Sequence, residues 1–298
     1  MKRALITGLA LLASLQVSAQ NNFRTGEPLG TTNESGEATP LSDNVRVFGS
    51  FRFAESCTFD PDRNLILAMN AGVGENDGYV SLINPDGTVH TAKWIGASRQ
   101  GLTLNRPLGS AIRNGILYTA DLDTVRRFDL DSGQPLEAFP VSGAVGLNGI
   151  AVTDDGTIYA SNTRGPERVF RITPDGQSET FVDGAPLALP NGLAIDNEGN
   201  IVVVNVGDNA VLTFDPEGEL LHTEHAVEGG NDGVVVTEDG TKYVSSVRYG
   251  SVSRIEPEQD AEIIASGIPS AASLCYDSVQ EQLVIPMNNN NALAFIPL

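Results

Sequence analysis

Glu55, Asn148, Asn191 and Asp232 are the residues of this chain whose types and spacing suggest chemistry. Two carboxylates and two carboxamides make an all-oxygen set, which suits a hard cation such as Ca2+ with its roughly six to eight oxygen ligands. Zinc would call for His or Cys in their place. Each of the four opens one copy of a recurring segment: Glu55-Ser-Cys-Thr-Phe-Asp, Leu108-Gly-Ser-Ala-Ile, Asn148-Gly-Ile-Ala-Val, Asn191-Gly-Leu-Ala-Ile-Asp, Asp232-Gly-Val-Val-Val and Ala272-Ser-Leu-Cys-Tyr-Asp. A single Asn-Gly or Asp-Gly would mean only a bend. Three in consecutive copies, with a carboxylate at the matching place in the first, favour a metal site over turn chemistry.

The elements that must position these side chains follow from the repeat. The lead residues are 53, 40, 43, 41 and 40 positions apart, and a period near 40 with strand content marks a propeller or solenoid. Each copy reads as an apolar strand, an acidic-Gly turn such as Asp154-Asp155-Gly156 or Glu238-Asp239-Gly240, and a second strand. A third strand closes in Pro-Asp-Gly or Pro-Glu-Gly, and a fourth leads onward. Such turns between apolar runs are strong hairpin signals. The predicted fold is all-β, a six-bladed β-propeller with four antiparallel strands per blade. The last copy has three strands, so the N-terminal strand Val45 to Phe48 completes that blade and closes the ring, removing an open edge.

Inner strands of a propeller surround a channel, so the six leads should ring one mouth of it. The second strands run back to the same mouth and end in Asn70, Asp121, Asn162, Asn205, Ser246 and Asn288. All are polar. Asn70, Asn162, Asn205 and Asn288, with Leu108, are read as lining the substrate site, and Asp121 and Asn205 are the first to probe. Two insertions in blade one, at 72–78 and 97–107, are candidate binding walls.

Composition bounds the partners. The formal net charge is −20, which argues against nucleic acid and anionic membrane. Residues 1–19 read as a signal peptide, with a basic start at Lys2-Arg3, a short apolar run and Val17-Ser18-Ala19 as cleavage site. No later segment reaches spanning length, so an exported periplasmic or extracellular protein is expected. Residues 20–43 read as a flexible polar leader and 44–298 as the propeller. Cys57 and Cys275 have opposite strand parity on neighbouring blades, which points them toward each other. A disulfide and a pair of free thiols both stand open, the buried thiol being the more frequent fate on inner strands. His90, His222 and His225 fall on fourth strands at the rim, and Trp94 serves equally as packing residue or ligand platform. No nucleophile elbow, phosphate loop or dinucleotide fingerprint is present.

Leu147-Asn-Gly-Ile-Ala151, Pro190-Asn-Gly-Leu-Ala-Ile-Asp196 and Asn231-Asp-Gly-Val234 give residues 45 to 298 a pattern that resembles the gluconolactonase/regucalcin-like superfamily of six-bladed propellers. Paraoxonases and strictosidine synthase-like proteins share that wider architecture. The resemblance implies that Glu55, Asn148, Asn191 and Asp232 hold one Ca2+ and that Asp232 is also the candidate general base. Blade two departs from it. Gluconolactonases tend to carry Arg-x-Asn-Asp-Gly there and paraoxonases a His, whereas this chain has Asn105-Arg-Pro-Leu-Gly109. That wording is closer to strictosidine synthase-like arylesterases and favours a substrate less polar than a sugar lactone.

The reading that follows is metal-assisted hydrolysis of a small lactone or ester, with Asp232, or Asp121 through one water, taking the proton. Mg2+ or Mn2+ could stand for Ca2+. The rival is a Ca2+-stabilised propeller that binds a ligand or protein without catalysis, a reading favoured by the apolar leads Leu108 and Ala272. The sequence leaves the oligomeric state open.

Overall fold

The structure, a computed structural model, describes residues 29–72, 74–96 and 101–298. Six four-stranded antiparallel sheets follow one another along the chain. Their inner strands are Ala54–Asp60, Pro107–Arg113, Leu147–Val152, Pro190–Ile195, Asn231–Val236 and Cys275–Asp277. The sixth sheet takes its outermost strand, Arg46–Gly49, from the N-terminal side, paired in register Ala292↔Gly49 to Phe295↔Arg46. The six-bladed propeller and its closing strand thus match the expectation from the repeat.

Among the described residues the core divides into six apolar clusters, one at each junction between neighbouring blades. Phe128 joins blade one to blade two and Phe170 joins two to three, while Phe214 and Phe295 serve the junctions 3–4 and 6–1. This is why the middle strands are apolar on both faces: Leu65–Asn70 and Ile201–Asn205 are buried throughout. The fourth strands are the wet ones, and His90, His222 and His225 are exposed on them as expected. Trp94 packs in the outer part of blade one, with the Arg63 guanidinium 4.8 Å from its ring.

Two expectations change. The expected signal peptide and the start of the leader lie outside the described residues. From Leu29 onward, however, the stretch read as flexible folds as a hairpin, Gly30–Thr32 against Ala38–Pro40. It is tied to blade five by Thr31 Oγ1 donating to Tyr249 O at 2.6 Å. The cysteines also form the disulfide rather than remaining thiols, with an S–S distance of 2.03 Å and Cα atoms 5.4 Å apart. The reason is local. Inner strands one and six meet in a parallel bridge, Ser56↔Ser273, which sets Cys57 beside Cys275.

Candidate metal centre

The lead residues are aimed by a device that the sequence conceals. Just after the lead, the register between first and second strands slips in blades one to five, as between Leu147 and Ile150 or Pro190 and Leu193. Such bulges re-aim side chains. The glycine after the lead therefore makes no turn. A Cβ on Gly149 would lie 2.0 Å from Asn191 O, one on Gly109 2.2 Å from Asn148 O, and one on Gly192 2.6 Å from Asp232 O. Each glycine lets the next blade's lead come close. Buried serines complete the stitching: Gly149 N donates to Ser161 Oγ (2.8 Å), which donates to Asn191 O (2.6 Å). Gly233, Ser245 and Ala272 O repeat the pattern at 3.0 and 2.7 Å.

Glu55, Asn148, Asn191 and Asp232 consequently converge on the wall of one cavity of about 270 Å3 at the channel mouth. All four are buried. Asn148 Oδ1, Asn191 Oδ1 and Asp232 Oδ1 have no hydrogen-bond partner. Asn191 Nδ2 reaches Asp232 Oδ2 at 3.4 Å, and Asn288 Nδ2 donates to Glu55 Oε2 at 2.9 Å. Burial pushes the Asp232 carboxyl well above its usual range, and the Glu55 charge pushes it further. Burial also raises Glu55, against the opposing pull of its Asn288 hydrogen bond and of Arg106 and Arg164. An unpartnered buried oxygen costs about 1–3 kcal/mol, and two buried carboxylates repel. Three such oxygens beside two such acids fit a divalent cation bound by hard oxygen donors.

The second-strand ends mostly have other work. Asn288 and Leu108 line the cavity. Asp121, Asn70, Asn162 and Asn205 do not; each is wholly buried and most of their polar atoms bind loop backbone. Asp121 accepts the backbone N–H groups of Asn105 (3.1 Å) and Arg106 (2.7 Å) and pairs with Arg126 Nε at 2.9 Å. Its oxygens are saturated and it stands outside the cavity wall, a geometry that holds the 105–106 backbone and offers no free oxygen to a water at the mouth. Asn70 Oδ1 accepts Arg52 N–H at 3.0 Å. Asn162 Oδ1 accepts the N–H groups of Val145 and Gly146, and its amide donates to Arg164 O and Pro166 O. Asn205 donates to Pro186 O at 3.3 Å, while its Oδ1 is unpartnered but lies outside the cavity wall. Ala272, the sixth lead, is buried outside the cavity wall, and Asn288 supplies blade six's polar group.

Sequence reasoning missed Arg106 and Arg164, which line the mouth with Phe53, Leu122, Val145, Val206 and Val247. The blade-one insertions set the first of these. Asn76 Oδ1 accepts Leu104 N–H at 2.7 Å, and Gly78 N–H donates to Leu104 O at 3.1 Å, so the two loops brace each other beside Arg106. A cation standing among loop residues has no periodic signature from which to be found.

Fold and site together define a six-bladed propeller with an oxygen-lined channel mouth. Residues 38–225 match the SMP-30/gluconolactonase/LRE-like region, and the chain belongs to that family. Among solved structures it is similar to a gluconolactonase from Xanthomonas campestris, at 20% identity and a TM-score of 0.66, over 91% of this chain and 95% of that one. It is also similar to virginiamycin B lyase from Staphylococcus aureus, at 13% identity and a TM-score of 0.63, over 85% of this chain and 99% of that one. No curated protein matches the chain in sequence.

Proposed function

We propose that the protein is an exported, metal-dependent hydrolase of a small lactone or ester, with Ca2+ as the favoured ion and Mg2+ or Mn2+ as substitutes. The observation that carries this reading is the set of unpartnered buried oxygens on Asn148, Asn191 and Asp232, facing one cavity with Glu55. These four residues would hold the cation. When bound, it would polarise the substrate carbonyl and favour the negative charge that develops there. Asp232 accepts a proton from the attacking water; among the described residues no other carboxylate besides Glu55 lines the cavity, and Glu55 is engaged by Asn288. Leu108, Leu122 and Val145 thin the water around the scissile bond and suit a substrate with an apolar body.

The likeness to the gluconolactonase supports a lactone. Virginiamycin B lyase, also similar in fold, has been solved as a catalytically inactive variant in which a His is replaced. Among the described residues no His lines the mouth, which favours hydrolysis over that route. The basic N-terminal start with its apolar run and the Cys57–Cys275 disulfide support export to an oxidising compartment. Among the described residues no helix is long and apolar enough to cross a membrane. A non-catalytic binding module is the second reading, favoured by Leu108 on the cavity wall where a polar lead would stand.

The test is a panel of aryl esters, lactones and phosphotriesters, assayed on chelator-stripped protein with and without added Ca2+. Metal-dependent turnover that disappears in Asp232→Asn is expected. Turnover nowhere in the panel would favour the binding module, and full rate in a metal-loaded Asp232→Asn would remove Asp232 as base.

A further inference from the structure

Arg106 and Arg164 both line the mouth, yet among the described residues neither is ion-paired. In a chain with 38 acidic against 18 basic residues, Arg52, Arg63, Arg113, Arg126, Arg168, Arg171 and Arg254 each sit on a carboxylate, whereas the two mouth arginines act on Glu55 only from a distance. The two mouth arginines are also held in place from beneath. The backbone of Arg106 is fixed by buried Asp121 at 2.7 Å, and its guanidinium lies 5.5 Å from the Phe53 ring. The backbone of Arg164 is fixed by buried Asn162 at 2.9 Å. The stem of Arg164 crosses Gly146 so closely that a Cβ there would lie 2.8 Å from Arg164 Cβ.

Charge decides what such a pair is for. Ionised to hold a divalent cation in the site below, Glu55 and Asp232 would have their two negative charges cancelled by it. The two guanidinium groups then leave the mouth positive, in a chain that is negative overall. Guanidinium forks match carboxylate and phosphate oxygens, and a positive, partly dry cleft in an acidic protein concentrates anions locally. Apart from Thr163 and Asn288 the remaining wall is apolar, with Leu108, Leu122, Val145, Val206 and Val247.

We propose that Arg106 and Arg164 bind an anionic oxygen group carried by the substrate, so that the molecule this site takes is an acidic one with an apolar body. The proposal rests on the hydrolase reading for the word substrate, but not for the binding. Calorimetric titration tests it, using Ca2+-supplemented protein and three unreactive probes: 4-phenylbutyrate, 3-phenylpropyl phosphate and neutral 4-phenylbutyramide. The wild-type protein is expected to bind at least one anion about tenfold or more tightly than the amide. Arg106→Gln and Arg164→Gln should each erode that preference and the double variant should abolish it, with amide affinity retained as evidence that the cavity is intact. The tighter of the two anions names the group.

Equal binding of all three probes would overturn the proposal. So would a preference that survives in the double variant, which would assign the anion to the cation instead. The two readings fail separately. An arginine-dependent preference without turnover of any ester keeps this assignment and defeats the hydrolase. Turnover of neutral esters with indifference to charge does the reverse.

Discussion

At the scale of single residues, the carboxamide oxygens make the sharpest distinction. Asn148 Oδ1 is buried and accepts nothing. Asn162 has its oxygen satisfied by two backbone N–H groups, and although buried Asn205 and Asn231 also leave Oδ1 unpartnered, they stand outside the cavity wall that Asn148 faces. Asn148→Ala is therefore expected to leave the thermal midpoint of chelator-treated protein unchanged or higher. Calorimetry should show Ca2+ affinity falling tenfold or more, about 1.4 kcal/mol. A large loss of metal-free stability with unaltered Ca2+ affinity would instead make Asn148 structural. Asp121 is the converse case. It sits at 0% exposure beneath Arg106 and pairs with Arg126. Asp121→Asn leaves that guanidinium uncompensated and should cost about 3 kcal/mol in urea unfolding. Because the new amide NH2 opposes Arg126 Nε and Asn105 Nδ2 and so loosens the support beneath Arg106, any effect on turnover should appear in KM ahead of kcat.

At the scale of elements, the bulge and its glycine explain what could and could not be read beforehand. Strand count, turn positions and the lead set were legible because a repeat near 40 residues and Asp-Gly turns are local patterns. Gly156, Gly176, Gly199 and Gly240 do adopt the positive φ of such turns, between 85° and 88°. The lead glycines wear the same two-letter signature and do something else. Gly149 has no positive φ and is required by the approach of Asn191 O, a contact 42 residues away in sequence that no local pattern announces. The strand-end polar residues misled for a related reason: position shows which mouth they approach but not what their atoms bond. Gly149→Ala tests the difference. A Cβ 2.0 Å from Asn191 O must displace that lead, so Ca2+ affinity should fall and the protein should lose about 1–3 kcal/mol of stability. A turn glycine without positive φ would tolerate Ala with no change in metal binding.

At the scale of the whole molecule, closure and the metal site act on the same ring. Blades six and one are joined by the strand Arg46–Gly49 outside and by Cys57–Cys275 inside, a bond spanning 218 residues. Replacing both cysteines by Ser should lower stability by about 2–5 kcal/mol, read as a urea midpoint without loss of the six-bladed fold. The oxygen ring pulls the other way when no cation holds it. Glu55 and Asp232 have raised pKa values in the folded protein, so it retains protons that the unfolded chain gives up. Stability from this pair is fully present below the ordinary values of 4.5 and 3.8, and it is lost as pH rises through the raised ones. A cation needs both groups ionised, so its binding releases protons and strengthens as pH rises through the same window. Added Ca2+ should therefore raise the thermal midpoint more at about pH 7.5 than at about pH 5, and at a hundredfold excess over Kd it should contribute about 2.7 kcal/mol. Chelator should erase the difference, and Asp232→Asn should flatten both the metal response and the pH dependence of the metal-free protein. A midpoint that Ca2+ leaves unmoved at both pH values would separate the buried acids from any metal and return the mouth to a purely organic ligand.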